Sequence, residues 1–454
     1  MVAREGKITG WLRSAPPAVL TFYAMATAFT TYFCMYAFRK PFAAAHFAGM
    51  SFLGTRVELK TALVVSQIIG YTLSKYIGIK VCSEVSRRRR AAALVSLVLL
   101  AEAALIAFAV LPPTWKVVAI FLNGLPLGMV WGLVVWYLEG RRTSELLLAG
   151  LSCSFIISSG VVKDVGTWLM SRQISQFWMP FVTGVMFLPL FLAAVWLLDQ
   201  LPAPDRGDVE ARLQRAPMTA ADRLAFVRRF AWGLLPLLAV YFFLTAFRDF
   251  RDNYGVELFA GLGYGGAADA MIFTRSEVPV AFGVMLCLAA LNLVRDNRRG
   301  LAAAYGLMTG GLLLCGLATL LLDAHLIRGL WWMILIGLGS YLAYVPYGSV
   351  LFDRLIATTR FAGTAVFAIY LSDAIGYTGS VGVQLFKDLA DASVSRVAFF
   401  RVFTYLLSTL GSVLLIASGC WFLASTRKRF AAEEPAPAAP QLELTPSPSG
   451  RGVG

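Results

Sequence analysis

Tyr32-Phe33-Cys34-Met35-Tyr36-Ala37-Phe38-Arg39 is matched 209 residues further on by Tyr241-Phe242-Phe243-Leu244-Thr245-Ala246-Phe247-Arg248, with Tyr, Phe, Ala, Phe and Arg identical in register. The same offset lays the basic run Arg87 to Arg90 onto Asp296 to Arg299. One octamer match is within reach of chance in an aromatic-rich chain, but two at a single offset are much less so. A repeat of this size implies two related halves, and parallel repeats in a membrane are related by an axis along the membrane normal.

Around the repeat the chain is strongly apolar. Hydrophobic residues make up 58%, charged residues 15%, and the mean hydropathy is +0.70. That is too little polar surface to coat a soluble chain of this length, so lipid is the expected solvent. Apolar runs fall near 18–47, 61–80, 91–111, 115–138, 146–170, 177–199, 230–250, 276–294, 301–322, 329–352, 362–386 and 398–424. About 20 residues of helix cross a bilayer, and lipid tolerates no open backbone, so these runs predict twelve transmembrane helices. The fold class expected is all-α, two pseudo-symmetric six-helix bundles in the major facilitator arrangement.

The domain boundaries follow from the polar breaks: 1–200 as the first bundle, 201–229 as a cytoplasmic central loop, 230–426 as the second bundle and 427–454 as a disordered tail. The tail, from Ala431 to Gly454, holds too few large apolar groups to bury. The first apolar run is too long for a signal-peptide core and is expected to remain as the first span. The formal charge of +14 is gathered in short clusters between runs, notably Arg87 to Arg90, Arg141 with Arg142, Arg295 with Arg298 and Arg299, and Arg427 to Arg429. That distribution is a topology signal rather than a nucleic-acid surface, and it puts both termini in the cytoplasm and the chain in a cytoplasmic (inner) membrane. Six scattered cysteines lacking CxxC spacing indicate neither zinc nor a disulfide framework, and no metal or cofactor is expected.

Ionisable groups inside apolar runs are the candidate functional residues, because each costs several kcal/mol in lipid unless it lines a wet cavity or has a partner. Arg39 and Arg248 are repeat mates, one per half. Facing each other they make a two-armed anion clamp, since guanidinium donates paired hydrogen bonds and stays charged; the plainer alternative is snorkelling to headgroups. Lys40 and Arg251 are read as the more interfacial cations beside them, Tyr36 as a neighbour, and Lys75 as a third cation reaching the cavity. Asp249 and Asp252 are the acids near enough to neutralise Arg248 or Arg251. Glu102 and Asp373 are candidates for a coupling proton, with helix-helix hydrogen bonding as the alternative. Glu139 (with Arg141) and Asp353 (with Arg354) are read as gating or capping groups, and Lys163 with Asp164 as an interfacial salt pair. Gly124, Gly128 and Gly132, and Gly376, Gly379 and Gly382, recur at spacings suited to close helix packing.

From about Tyr32 to Ala424 the chain resembles the organophosphate:phosphate antiporters of the major facilitator superfamily, as a bacterial branch related to but outside those exchangers. The resemblance is carried by Tyr36 to Phe42, Ser66 to Tyr76, Phe121 to Gly124 with Gly128 and Trp131, Phe247-Arg248, and Gly363 to Ala365 with Gly376, Tyr377 and Gly379. It implies that Arg39 and Arg248 hold a phosphate group and that Lys75 assists. It departs at Phe155, where those exchangers have histidine, and at Gly132 and Leu133, where they have prolines.

The expected function is secondary active transport of a small anionic solute, an organophosphate or organic anion, by alternating access. Inorganic phosphate or protons are the expected counter-substrates, in a monomer that contacts lipid and no nucleic acid. The alternative is a transporter-like sensor that binds an anion without flux. Enzyme activity is disfavoured, because the two histidines, His46 and His325, stand in no metal or acid-base cluster.

Overall fold

The computed structural model describes the backbone of residues 6–138, 141, 143–203, 220–265, 269–359, 365–390 and 394–433. Within these residues the regular elements are helices, with one isolated antiparallel bridge between Ser51 and Glu58. A short α1 (Lys7–Ser14) precedes α2 (Pro17–Met35), whose end passes into 3-10 turns at Tyr36–Phe38 and Pro41–Ala44. The first half continues with α3 (Leu59–Glu84), α4 (Arg90–Val110), α5 (Pro113–Leu138), α6 (Ser144–Ser171) and α7 (Met179–Asp199). The second half holds α8 (Ala220–Asn253), a short α9 (Gly255–Gly261), α10 (Ile272–Asn292), α11 (Asn297–Asp323), α12 (Gly329–Ser349), a short α13 (Leu351–Thr359), α14 (Ala365–Ala390) and α15 (Arg396–Glu433). Setting aside α1, α9 and α13 leaves twelve long helices, six in each half.

Local chemistry explains several of the boundaries. Pro17 and Pro113 open α2 and α5, where a missing N–H costs nothing. Asp296 caps α11 by accepting from the Arg299 N–H at 2.7 Å. The basic runs matched by the repeat thus take equivalent places, each between the second and third long helix of its half.

Three boundaries differ from the expectation. The first span does not run helically to residue 47; α2 stops at Met35, because Pro41 lacks an N–H and disfavours helix at Lys40. The last ten residues of the expected loop, 220–229, belong to α8. The last helix persists to Glu433, through the first seven residues of the expected tail; the remainder of that tail lies outside the described residues.

Ten of the long helices are apolar enough by length and composition to cross a membrane. The other two are α3 and α14, and they pack on each other across the two halves, as α6 packs on α10. The polar faces of α3 and α14 therefore meet between the halves, while Ile69 and Leu73 of α3 and Phe386 and Leu389 of α14 remain exposed. Outside, the helices present Phe22, Trp232, Leu286 and Val402, each at least 70% exposed. An aqueous surface would not carry such groups so densely, whereas lipid accepts them. This is a multi-pass membrane protein.

Two apolar cores hold the halves. One gathers side chains from Ala24 to Leu201 and takes in Tyr377 of α14; the other runs from Phe226 to Phe422 and takes in Ala149, Cys153 and Ile156 of α6. Thr9 on α1 bonds Gln200 just after α7 at 3.3 Å, so the start of α2 and the end of α7 share one face, here the terminal face. The opposite, distal face carries the end of α2, the start of α3 and the end of α8.

Candidate functional site

The site begins where α2 breaks. Arg39 and Lys40 N–H groups both bond the Tyr36 carbonyl, at 3.0 and 2.9 Å, which tightens the chain and turns Arg39 inward. Arg39 is 7% exposed, and its guanidinium carbon lies 3.8 Å from the Tyr71 ring centre and 5.7 Å from that of Tyr36. Its Nε is buried with no hydrogen-bond partner. Among the described residues no carboxylate pairs with it. The aromatic faces favour the cation, each by about 2 kcal/mol when desolvated, but they leave its charge uncompensated.

Arg248, the repeat mate, sits in a continuous stretch of α8. It has an acid of its own: Asp249 Oδ1 accepts from it at 2.6 Å, and Ser380 of α14 holds the other Asp249 oxygen at 2.8 Å. The guanidinium carbon lies 4.1 Å over the Tyr344 ring. Arg39 and Arg248 share neighbours, since Tyr36 and Tyr377 are each within Coulombic reach of both. Tyr36 itself is buried.

Lys75 forms a salt bridge with Asp373, joining α3 to α14 across the halves. Its ammonium is 4.9 Å from the Tyr377 ring and 5.5 Å from that of Tyr71, and Tyr241 donates to the second Asp373 oxygen at 2.8 Å. The Tyr71 and Tyr377 rings meet edge-on, 5.9 Å apart. Arg39, Lys75 and Arg248 thus stand among tyrosines contributed by both halves.

Lys40 and Arg251 are engaged elsewhere. Lys40 is buried in an ion pair with Asp252 at 2.6 Å and also donates to Asn253 at 2.8 Å. Arg251 is 3% exposed, paired with Glu277 at 2.8 Å and bonded to the Met333 carbonyl at 2.9 Å. Both cations are thus buried in ion pairs, Lys40 across the halves and Arg251 within the second half. Lys163 and Asp164 do not pair with each other as expected from their adjacency, because each finds a partner on another helix. Lys163 crosses to Asp252 at 2.6 Å, with the Ser159 hydroxyl on the same oxygen, while Asp164 accepts from the Thr274 N–H at 2.6 Å.

These contacts belong to a wider seam at the distal face. Lys60 pairs with Glu257 at 2.5 Å, Thr61 bonds the Tyr254 hydroxyl at 2.7 Å, and Glu58 pairs with Arg396 at 2.6 Å. Each tie joins one half to the other. Asp252 is the hub, a single carboxylate of the second half held by two lysines and a serine of the first.

Glu102 lies apart from the cations. Buried on α4 against Gly184 of α7, it has both carboxylate oxygens without a hydrogen-bond partner. Asp353 stands in the first turn of α13. Arg354 beside it bonds the Arg295 carbonyl and Asn297. Glu139 lies outside the described residues, while Arg141 reaches the Pro202 carbonyl at 2.7 Å. No group of three His, Cys, Asp or Glu side chains placed to hold a metal occurs among the described residues.

Sequence reasoning had not assigned roles to Tyr71, Tyr344 and Tyr377, nor seen Asp252 as a hub. The available signal was the polarity of α3 and α14, whose charged and tyrosine residues mark an internal interface.

The chain belongs to a family of unknown function, DUF5690, which matches residues 41–425. No curated protein matches it in sequence. Among solved structures it is similar to the nucleoside transporter NupG, with a TM-score of 0.54 and 14% identity over 89% of this chain and 99% of that one. At that identity the likeness speaks for the fold alone, an all-helical arrangement of two six-helix halves.

Proposed function

We propose that this member of the DUF5690 family is a secondary transporter that carries a small anionic solute by alternating access, with Arg39 as the group that meets the negative charge. The observation that carries this is a buried guanidinium without a carboxylate partner. Burying a charge unpaired costs several kcal/mol, so such a group is kept for a ligand that completes it. Arg248 and Lys75 flank the same tyrosines and can exchange their internal acids, Asp249 and Asp373, for substrate. The nucleoside of the similar solved transporter does not transfer to this chain, because a neutral ligand leaves Arg39 as it was.

The finer reading is an organophosphate or organic anion exchanged against inorganic phosphate or moved with protons. Asp373 then changes partner during the cycle. The basic clusters argue for cytoplasmic termini in a cytoplasmic membrane, which makes the distal seam the outer gate. Lys40 enters the substrate path only when that gate parts from Asp252.

The test is a thermal-shift screen of purified protein against phosphate esters and carboxylates. A ligand at 100 times its Kd adds about 2.7 kcal/mol to stability, a readily measured shift. At least one anion should stabilise the wild type and lose its effect in Arg39→Ala and in Arg248→Ala. Labelled uptake of that anion into proteoliposomes then separates transport from sensing. If no anion stabilises the protein, or if one stabilises Arg39→Ala equally, the reading is wrong.

A further inference from the structure

We infer that Gln67 and Asn123 are positioning residues for Arg39, two side-chain amides that fix where its guanidinium points by holding its main chain. The anion-binding consequence rests on the function proposed above; the positioning itself does not.

Breaking α2 frees backbone carbonyls that a continuing helix would bond to the N–H groups four residues on. Ala43 N–H instead bonds the Lys40 carbonyl, and Pro41 has no N–H to give. The Phe38 carbonyl accepts from Asn123 Nδ2 at 2.9 Å and the Arg39 carbonyl from Gln67 Nε2 at 2.8 Å. Both amide nitrogens do further duty. Asn123 Nδ2 donates to the Ala101 carbonyl of α4 at 3.0 Å, and Gln67 Nε2 donates to Asn123 Oδ1 at 2.9 Å. Asn123 is fully buried and Gln67 is 3% exposed, so water cannot substitute. A planar amide alone offers two donors and an acceptor without charge, which is what these carbonyls and this pairing use.

The consequence for Arg39 is geometric. The successive carbonyls of Phe38 and Arg39 are tied to α5 and α3, and through Asn123 the tie extends to α4. Those helices cannot drift apart cheaply, because Gly124 brings α5 so close to α3 that a Cβ there would lie 2.5 Å from the Gln67 carbonyl. On α3, Gln67, Tyr71 and Lys75 follow at intervals of four and lie along one face. The first holds the Arg39 backbone, the second underlies its guanidinium and the third bridges to Asp373. A site displaced by as little as about 1 Å loses much of its effect, so removing either amide should weaken anion binding although neither side chain needs to touch the anion.

The experiment compares full-length Gln67→Met and Asn123→Asp with wild type and with Ser66→Ala. Ser66, also on α3, makes a partly buried hydrogen bond to the Val117 carbonyl at 2.7 Å but does not bond the break. Met keeps the volume of Gln without its donors, which gives a gentle second variant should Asn123→Asp fail to fold. The first readout is the rate at which phenylglyoxal modifies Arg39, followed by mass spectrometry in folded protein. It should rise on the order of tenfold when the restraint is removed, with Ser66→Ala at the wild-type rate. An unchanged Arg39 rate in a folded Gln67 or Asn123 variant overturns the assignment, as does an equal rise in Ser66→Ala. The second readout is thermal-shift titration with inorganic phosphate, glycerol 3-phosphate and citrate; Kd for any that binds wild type should weaken about tenfold in the amide variants. If none binds wild type, the transport reading fails while the labelling rates still decide the positioning.

Discussion

Two arginines at matching places in a repeat have different company. Arg248 is next to Asp249 in sequence and bonds it in space, whereas Arg39 has only aromatic faces and its own backbone restraints. The asymmetry begins in the sequence, since the residue after Arg248 is Asp249 while its repeat mate after Arg39 is Lys40, and α2 breaks at that point whereas α8 continues. Pairing dominates the energetics here: a buried charge deprived of its partner costs about 3–5 kcal/mol, far more than an intact pair contributes. Lys75→Met should therefore lower the melting temperature sharply by stranding Asp373. Adding Asp373→Asn should restore most of the loss, since the amide can still accept from Tyr241. A double variant no more stable than Lys75→Met would mean the two side chains are not energetically coupled. The cations were legible in the sequence as charges inside apolar runs. Their partners were not, because Lys75 and Asp373 are hundreds of residues apart and only the folded chain brings them together.

Helices in lipid gain little from burying apolar surface against one another, so close approach depends on small residues. Gly124 and Gly128 face α3, and Gly376 and Gly379 face α8, each at distances that leave no room for a Cβ; Gly382, read from spacing as part of the same series, meets nothing. Spacing reveals that a glycine face exists, but not where it ends. Gly184 uses the same absence of a side chain differently, as the wall of the Glu102 pocket, where a Cβ would collide with the carboxyl group. Gly184→Ala should destabilise the protein by about 1–3 kcal/mol through overpacking. Glu102→Gln, which removes a carboxylate that has no hydrogen-bond partner, should leave the melting temperature unchanged or raised. A marked loss of stability in Glu102→Gln would indicate that the carboxyl group is engaged in a way its surroundings do not suggest.

At the scale of the whole molecule, the halves are joined at the distal face by an ionic seam centred on Asp252, with Lys40, Lys163 and Ser159 gathered on one carboxylate. Removing its charge leaves two buried lysines unpaired and should loosen the seam. In Asp252→Asn, a cysteine introduced at Ser276, fully buried in the parent protein, should react with a membrane-impermeant maleimide at least about tenfold faster, the population change expected for the loss of some 1.4 kcal/mol. An unchanged rate would show that the seam does not hold the distal face closed. Length, hydropathy and the internal match determined on their own that the chain is a multi-pass helical membrane protein of two six-helix halves, because those features report on local periodicity and on the thickness of lipid. They also singled out Arg39 and Arg248. Only the tertiary structure decided which charges are already spoken for, which tyrosines surround the remainder and which carboxylate fastens the halves. Those are properties of distance between helices remote in sequence, and in a low-dielectric interior a few ångströms separate a compensated charge from one that needs a ligand.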